Sequence, residues 1–73
     1  MEPMRLSTAE HFRRSADQHE VDALKHEVAA DALARRGELE LGRLESHNAE
    51  LERLAADLDR HRAQLFEQRG GAL

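Results

Sequence analysis

The sequence predicts an all-α protein, folded as an antiparallel helical hairpin of two long helices that assembles into a coiled coil or a helix bundle. Twelve alanines and eleven leucines dominate the apolar residues, whereas aromatic residues make up only 3% of the chain, and this composition favours helices over strands. From Thr8 to Arg36 the chain has no glycine or proline. Leucines recur every seven residues in the second half, which is typical of helices that pack along one face.

The first helix is predicted over residues 7–36, after a flexible N-terminus at residues 1–6. Ser7 and Glu10 have the spacing of a capping box, in which the serine hydroxyl accepts a hydrogen bond from a free backbone N–H and the glutamate reaches back to the cap. Arg35 and Arg36 then place two cations in the last turn, where they complement the helix dipole.

The second helix is predicted over residues 37–69, followed by a flexible tail at residues 70–73 that begins with two glycines. Gly37 stands where a helix C-cap favours a positive φ, and acidic residues follow it in the first turn of the next helix. A glycine inside a continuous helix costs only about 1 kcal/mol. One long coiled-coil helix is therefore the alternative fold.

The phase of the hydrophobic residues favours the hairpin. At about 100° per residue, Val21, Leu24 and Val28 cluster in one direction, and the leucines of the second half cluster about 120° away. A bend between the halves would let the two stripes face each other. If residues whose numbers sum to about 79 are paired, His19 approaches Arg60 and His61.

The leucine repeat resembles the leucine zipper family over about residues 41–66. With Leu44, Leu51, Leu58 and Leu65 at heptad position d, the a positions include one asparagine, by which parallel dimers of that family set their register. In the alternative frame these leucines occupy position a, and His47, Leu54 and His61 occupy position d. Leu54 adds a second apolar edge, so the stripe is broad enough to contact two neighbouring helices, as in a bundle. The predicted interface consists of Leu41, Leu44, Asn48, Leu51, Leu54, Leu58, Leu65, Val21, Leu24 and Val28.

The charge pattern predicts no nucleic-acid partner. Zippers that bind DNA carry a basic region just before the leucine repeat, whereas Glu27, Asp31, Glu38 and Glu40 precede it here. The whole chain has a formal net charge of −4. Its uncharged stretches are far shorter than the roughly 20 apolar residues of a membrane span, and no targeting signal is recognised. The sequence therefore predicts a soluble protein of the cytoplasm or another soluble compartment.

Two further resemblances suggest an alternative function. The segments 50–54 and 57–62, with His11-Phe12-Arg13-Arg14 nearer the start, resemble the mitochondrial ATP synthase inhibitor proteins. The size and the Arg-Gly interruption resemble, in shape, helical-hairpin co-chaperones of bacterial secretion systems. These resemblances imply a small inhibitor or co-chaperone that occupies a groove of its partner.

The sequence predicts no catalysis and no cofactor. Its serines lack a nucleophile motif, its glycines form no phosphate loop, and it has no cysteine. Neither predicted helix has a pair of histidines at the spacing of metal ligands, so no metal site is predicted. Histidines at the boundary between the two helices are expected to pack beside carboxylates. His47 and His61 lie near the leucine stripe and are candidates for pH-sensitive assembly.

These observations predict a non-catalytic interaction module, which is a structural or adaptor subunit. A chain of 73 residues buries a modest share of its surface and usually needs a partner for stability. The expected partner is a second copy, another helical protein, or both, and no small-molecule substrate is expected.

Overall fold

The computed structural model describes residues 7–72, with side-chain exposure for residues 7–69. Two helices, α1 (Thr8–Arg35) and α2 (Leu39–Ala72), pack against each other along their length. Ion pairs join Glu20 to Arg60 and Glu27 to Arg53, so the helices run antiparallel. The predicted all-α helical hairpin is confirmed. The predicted flexible residues 1–6 lie outside the described part of the chain.

The start of α1 follows the predicted cap. Ser7 adopts an extended conformation, and its Oγ accepts a hydrogen bond of 3.1 Å from the backbone N–H of Glu10. This bond satisfies one of the backbone donors that a helix start leaves without an intrahelical partner.

The turn between the helices is set by Gly37. Its φ of 80° lies in the left-handed region, which glycine reaches without the steric cost that a Cβ imposes. The N–H of Gly37 donates to the carbonyl of Ala34 at 3.0 Å, and the N–H of Glu38 donates to the carbonyl of Leu33 at 2.9 Å. These two bonds form a Schellman motif, which ends α1 and redirects the chain.

The end of α2 differs from the prediction. The helix continues through Gly70 and Gly71 to Ala72, whereas the sequence predicts an end at Arg69 and a flexible tail. Glycine lowers helix stability by only about 1 kcal/mol, so a terminal pair does not by itself stop a helix. Leu73 lies outside the described residues.

Small residues fill the interface between the two helices. Its buried apolar residues form two rows at seven-residue spacing, which together we call the alanine seam: Ala9, Ala16 and Ala23 on α1, and Ala49, Ala56 and Ala63 on α2. Gly42 extends the α2 row by one heptad and is also buried. A Cβ built at Gly42 would lie 3.2 Å from the carbonyl oxygen of Ala30, so the two backbones approach closely there. Side chains this small allow α1 and α2 to pack at short range.

Neither α1 nor α2, within the described residues, contains a stretch apolar enough to cross a lipid bilayer.

Candidate protein-protein interface

The leucine repeat of α2 points away from α1. We call Leu44, Leu51, Leu58 and Leu65 the leucine row. Each residue of the row is two positions beyond a residue of the alanine seam or Gly42, and two positions turn a helix by about 200°. The row and its neighbours Leu41 and Leu54 are accordingly 47–62% exposed. The hairpin therefore has a long apolar surface on the outer side of α2.

The stripe predicted on α1 is also on the outside. Val21, Leu24 and Val28 are 46–71% exposed. The expectation that the two apolar stripes face each other is thus wrong. Alanine permits a closer approach of the helices than leucine, and the alanine seam occupies the interface instead.

Asn48 and the two candidate pH-sensing histidines lie on the exposed surface. His47 has a carboxylate neighbour on its own helix, with Nδ1 3.8 Å from Oε2 of Glu50. His61 and Asn48 are likewise exposed. A pH-sensing role of His47 and His61 stays a prediction.

His19 and His26 instead lie along the boundary between α1 and α2, and both are half-buried. Nδ1 of His19 is 2.6 Å from Oε2 of Glu52, and Nδ1 of His26 is 2.6 Å from Oε2 of Glu45. The packing of boundary histidines beside carboxylates is thereby confirmed. The neighbours of His19 are not the predicted Arg60 and His61: its Nε2 lies 3.6 Å from Oδ2 of Asp59. The predicted register itself is within about one residue of the pairs between Arg60 and Glu20 and between Arg53 and Glu27, whose numbers sum to 80. His19 lies on the other edge of the hairpin, where it meets Glu52, one heptad before Asp59.

The opposite edge of the hairpin is closed by pairs of arginine and glutamate. Arg60 donates to Oε1 of Glu20 at 2.9 Å, and similar pairs join Arg53 to Glu27 and Arg13 to Glu67. The hydrogen bond to Glu20 raises the pKa of the Arg60 guanidinium above its ordinary value. Because these groups are partly exposed, each pair adds little to stability, and their main effect is to favour one register of α1 on α2.

Asp59 is the one charged side chain that is buried among the residues whose exposure the structure describes. Oδ1 accepts a hydrogen bond of 2.9 Å from Arg62, and Nε2 of His19 lies near Oδ2. The hydrogen bond from the Ser15 hydroxyl, followed by that from Arg62, lowers the pKa of Asp59 despite the opposing effect of burial.

This lowered pKa predicts a loss of hairpin stability in acid. A carboxyl group whose pKa is lower in the folded chain than in the unfolded chain stabilises the fold when it is ionised. This contribution is complete above the unfolded pKa, about 3.9 for aspartate, and it is lost as the pH falls through the folded pKa. We expect Asp59→Asn to unfold at a lower temperature near neutral pH and to depend less on pH below about 4.

Thermal unfolding followed by circular dichroism across this pH range measures the effect. The matched control is Asp57→Asn, because Asp57 is exposed and pairs weakly, at 3.7 Å, with Arg60. A pH profile of Asp59→Asn that matches the parent chain would contradict the prediction.

The two phenylalanines close the end of the hairpin away from the turn. Phe12 and Phe66 stack with ring centroids 5.6 Å apart, and the guanidinium of Arg62 lies 5.8 Å from the centre of the Phe12 ring. Phe66 remains 40% exposed and borders Leu65. The apolar outer surface of α2 therefore extends to this end.

These features define the chain as a two-helix hairpin with a small-residue interior and an apolar outer surface. In comparisons with known proteins, no family model, curated protein or solved structure shows a significant match to this chain. The functional assignment therefore depends on the geometry of the chain itself.

Proposed function

We propose that this chain is a non-catalytic helical interaction module, a structural or adaptor subunit that associates with a second copy of itself through the leucine row. The observation that carries the proposal is that the large apolar side chains lie on the surface and the small ones in the interior, the opposite of an ordinary protein core. Six leucines of α2 are about half exposed, while alanines form the buried apolar core. Exposed apolar surfaces of this extent mark sites of protein association.

The hydrophobic effect gives this association a sufficient driving force. Complete burial of a leucine side chain contributes about 1.5–3 kcal/mol, so the exposed half of each leucine represents roughly 1 kcal/mol. Two copies with six such leucines each would gain on the order of 10 kcal/mol before the entropic cost of association. That gain is comparable with the entire folding stability of a small domain, about 5–15 kcal/mol.

A second copy is the favoured occupant because the leucine row is complementary to itself. Its four leucines are evenly spaced by seven residues, so the same row on another chain can place leucine against leucine along its length. From Leu44 to Leu65 this contact spans roughly 30 Å of helix. Two hairpins joined in this way would form a four-helix assembly with α2 of each chain at the centre.

The non-catalytic assignment is supported by the shape of the hairpin. Catalysis requires a site that excludes water around reactive groups. The two helices instead form a flat body, with Cα extents of 55 × 28 × 10 Å, in which the titratable groups lie on the surface or in ion pairs along the edges.

Sedimentation equilibrium at several protein concentrations tests the proposal. We expect a mass of at least two chains at high concentration, and a return toward the mass of one chain on dilution. A monomer whose mass and helicity do not change with concentration would refute self-association.

A further inference from the structure

We propose that His19, Asp22 and Glu52 form a binding site for one divalent transition-metal ion of the zinc type. His19 and Asp22 are three residues apart on α1, and Glu52 reaches them from α2. One potential ligand atom from each side chain lies within 4.8 Å of the other two. This cluster draws on both helices, so spacing within one helix does not reveal it.

The geometry fits such an ion after a small adjustment. Zinc binds imidazole nitrogen and carboxylate oxygen at about 2.0–2.2 Å, which places neighbouring ligand atoms about 3.4 Å apart in a tetrahedron. Nδ1 of His19 and Oε2 of Glu52 are 2.6 Å apart and would have to move apart by about 0.8 Å to admit the ion. The other ligand atoms lie within 4.8 Å, so they would have to approach by at most about 1.4 Å. All three side chains are half-buried, which leaves one side open for water as the remaining ligand.

The charge around His19 favours a cation. Besides Asp22 and Glu52, the Asp59 carboxylate lies 3.6 Å from Nε2 of His19, and its other oxygen is paired with Arg62 at 2.9 Å. Asp22 accepts a hydrogen bond of 3.0 Å from the amide of Gln18, which carries no charge. A divalent ion would offset the excess negative charge at this point, and the imidazole ligand selects zinc-type ions over magnesium or calcium.

The chain contains its own comparison one heptad away. His26 and Glu45 repeat the contact of His19 with Glu52 at the same 2.6 Å distance. The residue three positions after His26 is Ala29, which has no ligand atom, whereas the residue three positions after His19 is Asp22. Among the proposed ligands, the site thus differs from its neighbour by the carboxylate of Asp22, while Asp59 makes a further contact with Nε2 of His19.

Zinc titration calorimetry on the full chain, with thermal unfolding in parallel, tests the site. We expect one ion per chain, and a higher melting temperature with zinc because the ion links α1 to α2. Asp22→Ala should weaken zinc binding by at least about tenfold. Removal of a residue that only supports a metal ligand already weakens binding by about 10–100-fold, and Asp22 is proposed as a direct ligand. It should also abolish the rise in melting temperature.

The matched control is Asp31→Ala, which removes an exposed carboxylate paired with Arg35 on the same helix and should bind zinc like the parent chain. The converse variant, Ala29→Asp, should add a second ion beside His26 and Glu45. His19→Ala provides a second loss variant. Unchanged zinc binding by both Asp22→Ala and His19→Ala would place the ion elsewhere and overturn the proposal, as would a single bound ion in Ala29→Asp.

Discussion

Replacement of Leu58 by alanine is expected to abolish self-association while the single hairpin stays folded. Leu58 stands inside the leucine row and is 55% exposed in one chain, so its truncation removes about 1 kcal/mol or less from the hairpin itself. Against a second copy the same side chain would be fully packed. Its loss would then cost about 2–5 kcal/mol at each copy, which weakens association by at least tenfold.

The measurement is sedimentation equilibrium of Leu58→Ala beside the parent chain, with helicity recorded at each concentration. Leu39→Ala is the matched control, because Leu39 is equally exposed, at 61%, but lies outside the seven-residue spacing of the row. We expect the control to keep the mass of the parent. Equal masses for Leu58→Ala and the parent would show that the row is not the contact surface.

The elements of the hairpin follow from local sequence signals. Ser7 caps α1 and Gly37 ends it in the left-handed conformation, and both roles can be read from residue type and spacing. These signals act within a few residues, so they do not depend on how the helices pack. Such local signals did not predict the end of α2, which continues through Gly70 and Gly71. The low helix propensity of glycine is a weak effect and does not by itself end a helix.

The side of each helix that faces the other could not be predicted from hydrophobicity alone. On α2 two rows share the seven-residue spacing, the leucine row and the row of Ala49, Ala56 and Ala63. The leucines are the more hydrophobic, so the sequence favours them as the interior. The matching row of Ala9, Ala16 and Ala23 on α1 is the signal that identifies the true interface, since small residues on both helices permit close packing.

The polar contacts required the register of the two helices and the edge on which each side chain lies. A register of about 79 brings α1 residues to the correct level of α2, but it does not say which edge of α2 each side chain meets. His19 lies on the edge that carries Glu52 and Asp59, whereas Arg60 lies on the edge that pairs with Glu20. The histidines singled out by their closeness to the leucines, His47 and His61, are exposed instead. Spacing within one helix specifies a face, whereas a cluster between helices also needs their alignment.

The largest loss of hairpin stability is expected from a leucine at the centre of the alanine seam. Ala56 is completely buried, with 0% of its surface exposed. Ala56→Leu would add three carbon atoms where the helices are in close contact. To make room for them, α1 would have to move away from α2, which would disturb the ion pairs along both edges. Overpacking of this kind costs about 1–3 kcal/mol, and a domain of this size loses roughly 4–8 °C of melting temperature for each kcal/mol.

Thermal unfolding of Ala56→Leu at a fixed protein concentration measures this loss. Ala32→Leu is the control, because Ala32 is exposed on α1 and the added atoms meet solvent. Its stability should change by about 0.5 kcal/mol or less. If Ala56→Leu melts at the temperature of the parent chain, the helices are not in close contact at this layer. A fall in melting temperature confined to Ala56→Leu would instead show that the hairpin depends on alanine at its centre, which leaves the leucines on the surface available for a partner.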